Sequence, residues 1–262
     1  MRIDCRIWLN HFEYHAQRRQ ARVPESGPVR ALSTEEHKRI ARSIATFQLG
    51  EQSDGRFLLR AAQRYAQLTQ APEIVRLMEL FVAEEQSHAA LLATFMGRHD
   101  IPLKRADWTD DAFRVLRRLG GFEWHLSVLL TAELIGKAYY RALEMDTSSR
   151  ELQALCRLLV VDELAHIGFE ADLLNGIRER RPRIVRAVIA GAHRLLLHVA
   201  ATIVWITHCP VLRAAGYRRR SFVHACDAQY AFYLDSPLEA AASGGTLQIG
   251  EASRKEQTLA GR

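Results

Sequence analysis

The sequence predicts an all-α protein in which four long helices form two antiparallel hairpins, joined by a long crossover between helices two and three. Further helices are expected at both ends. Three observations predict this. Apolar residues recur at three- and four-residue spacing through four segments between residues 34 and 180. Within those segments one polar pattern occurs twice, a lone glutamate followed by a Glu-x-x-His run: Glu51 then Glu85-Gln86-Ser87-His88, and Glu133 then Glu163-Leu164-Ala165-His166. Finally, each pair of glutamates averages onto a turn signal. Glu51 and Glu85 average to residue 68, beside Leu68-Thr69-Gln70-Ala71-Pro72, and Glu133 and Glu163 to residue 148, inside Asp146-Thr147-Ser148-Ser149. A hairpin bends there if both of its glutamates lie at one height.

Composition sets the limits. The 262 residues are 48% hydrophobic and 25% charged, which describes an ordinary globular protein with one generous core. Cys5, Cys156, Cys209 and Cys226 show no Cys-x-x-Cys spacing, which argues against a zinc ribbon or rubredoxin module and fits a reducing compartment. With charges at Arg2, Asp4 and Arg6 and no early apolar run of signal-peptide length, a cytoplasmic location is expected. A net charge of +6 permits an acidic partner without requiring one.

Residues 1–33 mix Trp8, Phe12 and Tyr14 with arginines and contain Pro24, Gly27 and Pro28; they are read as an extension packed on the domain. Ser33-Thr34-Glu35-Glu36 is a capping box that opens the first long helix, with Glu36 reaching back to the cap. Its stripe runs Ile44, Phe47, Glu51, Leu58, Ala62, Tyr65. Gly50 and Gly55 flank Glu51 and each costs about 1 kcal/mol relative to alanine, so a kink or bulge is expected there. Pro72 opens the second helix, whose stripe is Ile74, Met78, Phe81, Glu85, His88, Leu92, Phe95. Residues 97–121 form the crossover, with a short helix expected after Thr109-Asp110-Asp111. Helix three (Leu126, Leu129, Glu133, Gly136, Tyr140, Leu143) and helix four (Leu152, Cys156, Leu159, Glu163, His166, Glu170, Leu173, Ile177) repeat the logic and close a bundle over 34–180.

Residues 181–235 are expected to add packing helices. The segment 184–208 is strongly apolar, with Arg186, His193, Arg194, His198 and Thr202 expected on one polar side. It is read as a fifth helix on the outside of the bundle, the alternative being a helix on a membrane surface or beside a route for an oily substrate. Arg194 and two histidines near its middle argue against a spanning helix. Arg218, Arg219 and Arg220 precede a small aromatic helix, and the polar tail 236–262 is expected to be disordered.

Three residues is close to one helical turn, so each Glu-x-x-His run places both side chains on one face. Burying an ionised carboxylate without a partner costs several kcal/mol. Glu51, Glu85, Glu133 and Glu163 at one level beside His88 and His166 therefore call for bound cations. Carboxylate and imidazole donors without thiolate suit iron or manganese. Glu85 and Glu163 could bridge two metals, with Glu51 and Glu133 as terminal ligands and one histidine capping each.

These six residues and their spacing resemble the ferritin-like di-iron carboxylate superfamily over roughly residues 34–180. The resemblance implies a ferritin-like four-helix bundle holding two iron ions, or Mn/Fe, that reacts with dioxygen. In ribonucleotide reductase small subunits and bacterial multicomponent monooxygenases, the acidic residue before each Glu-x-x-His glutamate hydrogen-bonds the histidine of the other motif. That implies Asp162 for His88 and Glu84 for His166, with surface placement of Glu84 as the alternative. Leu159 stands where arylamine N-oxygenases carry an extra histidine, and neither the additional glutamate nor the iron–sulfur module of rubrerythrins is evident. Aldehyde-deformylating oxygenases and transfer-RNA hydroxylases are nearer likenesses.

The resemblance thus implies a non-haem di-iron oxidoreductase that activates dioxygen to oxidise an organic substrate, with Glu51, Glu85, Glu133 and Glu163 as its catalytic carboxylates. Iron oxidation and storage, peroxide detoxification, or a transfer-RNA-hydroxylase-like monooxygenase are the alternatives. Expected partners are a small, apolar substrate and an external electron donor such as a reductase or ferredoxin. Nucleic acid is not the expected partner, and a membrane surface along 184–208 or a homodimer is left open. Glu170 returns to the ligand face one turn after His166. It is either ion-paired with an arginine such as Arg42 or Arg60, or an auxiliary ligand or proton carrier above the metals.

Overall fold

A computed structural model describes residues 5–18 and 31–235. Their regular structure is helical throughout: α1 (Cys5–Arg18), α2 (Thr34–Glu51), α3 (Arg56–Thr69), α4 (Glu73–Arg98), α5 (Trp108–Arg117), α6 (Phe122–Asp146), α7 (Arg150–Arg178), α8 (Arg183–Ala214) and α9 (Arg219–Tyr230), then a π-helical turn, Ala231–Asp235. The expected disorder of 236–262 and the segment around Pro24 and Pro28 lie outside the described residues.

The protein is all-α, and the packing follows the apolar stripes. α6 and α7 pack along most of their length, α2 and α3 both lie on α4, and α4 meets α7 across one shared core. The turns fall at Gln70–Pro72 and Thr147–Ser149, where Ser149 accepts from the Leu152 amide to cap α7.

The first long helix is not one helix. The chain leaves α2 at Glu51 and resumes at Arg56, so the expected kink is a four-residue break. Gly55 makes it possible. Its φ is +64°, and a Cβ there would lie 2.5 Å from Cγ2 of Val82, so only glycine suits both the left-handed backbone and the close approach. Asp54 accepts from the Arg56 amide at 3.1 Å to restart the helix. Because α3, at 14 residues, nearly matches the stretch from Glu73 to Glu85, the break adds little height. Glu51 is thereby kept beside Glu85.

Ser33 caps α2 as expected, accepting from the Glu36 amide at 3.2 Å. The Glu36 carboxylate does not reach back; it accepts from Thr147 Oγ1 at 2.5 Å, from the Ser148 amide at 3.0 Å and from Ser148 Oγ at 2.8 Å. It ties α2 to the turn of the second hairpin, where unpaired donors offer more than its own cap does. In the crossover, α5 starts at Trp108, capped by Asp107, slightly before the expected Thr109-Asp110-Asp111.

α8 packs against α6, α9 and α2. It is also, by length and composition, apolar enough to cross a membrane. Its polar residues do not form one solvated side. His193 is buried and its Nδ1 accepts from Arg178 at 3.1 Å, while Arg194 and His198 both bind Asp227 of α9. Ile184, Val188, Leu195, Val199 and Ile206 are exposed instead. The helix kinks at His208, ahead of Pro210, and that ring bonds Ser43 of α2 at 2.8 Å.

Candidate metal centre

Four helices bring the predicted residues together. Glu85 and His88 come from α4 and Glu163 and His166 from α7, each pair one turn apart, and all four present ligand atoms within 4.8 Å of one another. His166 Nδ1 lies 3.1 Å from Glu85 and 3.7 Å from Glu163, and His88 Nδ1 lies 3.5 Å from Glu85 and 3.8 Å from Glu163. Glu133 of α6 approaches His166 Nδ1 at 3.9 Å. Glu51, at the end of α2, accepts a short hydrogen bond from the Tyr140 hydroxyl and lies beside Glu85.

The far side of each imidazole is occupied. His88 Nε2 bonds Asp162 at 3.1 Å and His166 Nε2 bonds Glu84 at 3.3 Å. Glu84 is buried rather than at the surface, and its second oxygen bonds His15 of α1 at 3.0 Å. Such contacts fix a ring's orientation and tautomer, leaving the other nitrogen as the donor atom. That other nitrogen, Nδ1, is satisfied by no hydrogen bond in either ring, nor are Oε1 of Glu85 or both oxygens of Glu163, although all are buried. These unpaired atoms lie beside one another, where a bound cation would satisfy them together.

The electrostatics agree. Burial, then Glu85 beside it, pushes the Glu51 carboxyl well above its ordinary range, and burial, then Glu133, does the same to Glu163. Burial also works to raise Glu84 and Glu85, yet the histidine rings outweigh it and hold both below the usual value. Burial lowers His88, but Asp162 and Glu85 prevail and raise it to about 10. So much negative charge attracts cations, and the buried cluster can hold a metal ion.

Glu170 is fully buried, and neither carboxylate oxygen has a hydrogen-bond partner. The ion pair with Arg42 or Arg60 therefore does not form. Burial, then the nearby Glu133, raises its carboxyl well above the ordinary range.

A cavity of about 230 Å³ opens onto the carboxylates from one side. Glu51, Glu85, Glu133 and Glu163 line it, His88 and His166 do not, and its walls include Phe81, Val82, Phe113 and Leu129. The α2–α3 break supplies its rim through Ser53, Asp54 and Gly55. α1 covers the opposite side: Trp8 donates to Asp172 at 3.0 Å, and Phe12 stacks on His166 with centroids 5.9 Å apart.

Sequence reasoning passed over His15, Tyr140 as a partner of Glu51, and Arg117 in the cavity wall. For His15 a signal existed, since Trp8, His11, Phe12 and His15 repeat at three- and four-residue spacing. Comparison of the chain with family models, curated proteins and solved structures returns no match.

Proposed function

We propose that this chain is a ferritin-like non-haem di-iron oxidoreductase that oxidises a small organic substrate with dioxygen. One observation carries the reading: two buried histidines each hold an acidic partner on Nε2 and turn an unsatisfied Nδ1 toward carboxylates that also line a cavity. The donor set suits iron, or iron with manganese, because it combines imidazole with hard carboxylate oxygen and has no thiolate. Glu51, Glu85, Glu133, Glu163, His88 and His166 would hold the two ions. When bound, they would supply a site for dioxygen reduction using electrons from an external reductase or ferredoxin.

The chain's own residues do the rest. Asp162 and Glu84 fix the imidazoles through Nε2, so that Nδ1 is the atom each ring would offer to a metal. Tyr140 donates to Glu51 and steadies the one carboxylate that sits at a helix end. Phe81, Val82 and Leu129 exclude water from the substrate's side, which strengthens every charge interaction inside. The apolar part of the wall, Phe81, Val82, Phe113 and Leu129, favours an organic substrate over iron storage, since ferrous ions gain nothing from such side chains.

The test is oxygen uptake by anaerobically reconstituted protein. The proposal expects uptake driven by added reductant, with bound iron constant at two per chain. Uptake proportional to added ferrous ion, with ferric iron accumulating well beyond two per chain, would support storage and contradict it.

A further inference from the structure

Four arginines line the cavity: Arg56, Arg114, Arg117 and Arg118. Arg56 pairs with Asp54 at 2.5 Å. Arg114 pairs with Asp110 at 2.5 Å and reaches the Leu49 and Gln52 carbonyls. Arg118 lies over the Phe57 ring, 4.3 Å from its centroid. Arg117, half-buried, makes no hydrogen bond, ion pair or ring contact with any described residue. A guanidinium has five N–H donors in a planar fork and keeps its charge, so one in a cavity wall with no protein acceptor has its fork open to an incoming anion.

The carboxylates of the cluster act on Arg117 only at a distance. Burial, then Arg114, lowers the Arg117 pKa; Asp110, then Glu85 and Glu133, favour its charge less strongly. Cations bound among the glutamates would cancel the part that Glu85 and Glu133 supply. Asp110 would remain, itself held by Arg114 at 2.5 Å, so Arg117 would line the cavity as a cation without a hydrogen-bonded acceptor.

We infer that Arg117 is the receptor for an anionic group on the substrate, so that the cavity takes a molecule with a carboxylate or phosphate head and an apolar body directed toward the glutamates. The inference deepens the proposed function and rests on its cavity being the substrate site. Arg117 is the last residue of α5, and the crossover that carries it is thereby a specificity element as well as a connection. A planar guanidinium engages a carboxylate through two parallel hydrogen bonds, which fixes the head and aims the chain.

Three probes with one chain length test it: octanoate, octyl phosphate and octanol, titrated calorimetrically into manganese-loaded wild type, Arg117→Met and Arg117→Lys, with metal content measured on every sample. Wild type is expected to bind at least one of the two anions about tenfold or more tighter than octanol, and comparing them tells carboxylate from phosphate. Arg117→Met should lose that preference while keeping its octanol affinity and metal content, and Arg117→Lys should recover part of it. Equal binding of octanol and both anions by wild type, or an unchanged preference in Arg117→Met, overturns the inference. Two bound metals with no anion preference would sink this inference alone. An anion preference in wild type that binds no metal would sink the di-metal reading and leave Arg117's role standing.

Discussion

In the α6–α7 hairpin both helices run unbroken past the ligands, and the Glu163 side chain is 1% exposed. In the other hairpin the chain leaves the helix at Glu51, turns through Gly55 and lines a cavity, and the Glu85 side chain keeps 13% exposure. The ligand pattern is repeated but the backbone is not. A repeated Glu…Glu-x-x-His pattern can therefore take two forms: an uninterrupted hairpin holds its carboxylate out of water, and an interrupted one opens a cavity onto the same cluster.

The largest expected effect tests this difference. Glu163→Ala should reduce metal loading to well below one ion per chain, because Glu163 lies within 3.8 Å of both histidines at the centre of the cluster. Glu51→Ala should retain at least one ion, because its carboxylate sits at a helix end beside open space. Equal losses, measured by metal analysis after anaerobic reconstitution, would break the comparison.

Next comes the break itself. Gly55→Ala combines a left-handed backbone with a clash on Val82 and should destabilise the fold by roughly 2–4 kcal/mol. Gly50→Ala, with nothing within 4 Å, should be neutral or stabilise the end of α2 by about 0.5–1 kcal/mol. Urea denaturation of both variants decides it. If Gly55→Ala were as stable as Gly50→Ala, the break would not depend on its glycine.

The closed hairpin also has an acid-sensitive base. Burial and the Arg178 guanidinium lower His193 to about 3, and its Nδ1 accepts from Arg178. The unfolded chain takes up a proton near pH 6.5 that the folded chain refuses, so this contribution to stability is lost as pH falls from about 6.5 toward 3. Between pH 7.5 and pH 4.5 wild type should lose about 1–2 kcal/mol more than His193→Gln. Equal losses in chemical denaturation would show that His193 is not held neutral.

Much of this was legible beforehand, for identifiable reasons. Helical stripes and turn residues are local signals, so three of the four long helices and the turn at Ser148 could be read directly. The contacts of Asp162 with His88 and Glu84 with His166 were reachable only through family resemblance, because no spacing links residues 84 and 166. Gly50 and Gly55 hinted at a disturbance, but a kink and a four-residue break differ only in what Val82 of another helix requires. Glu36 chose Thr147 and Ser148 over its own cap, and Glu170 found no arginine. Both outcomes depend on which helices face each other, which a linear pattern does not encode.

The smallest effect belongs to Glu170. Burial raises its carboxyl well above the ordinary range, so the charge-free, same-shaped Glu170→Gln should change stability by less than about 0.5 kcal/mol and leave metal loading intact. If Glu170 carries protons or serves as an auxiliary ligand, stopped-flow mixing of the reduced, loaded variant with oxygen should give altered kinetics. Unchanged kinetics with lowered thermal stability would return it to a structural role.

Native mass spectrometry of anaerobically iron-reconstituted wild type beside the His88→Ala/His166→Ala double variant tests the central claim most directly. The account predicts two iron ions per chain in wild type and loss of tight binding in the double variant, with helicity by circular dichroism retained in both. A wild type that binds no iron, or a double variant that still binds two ions tightly, would contradict it.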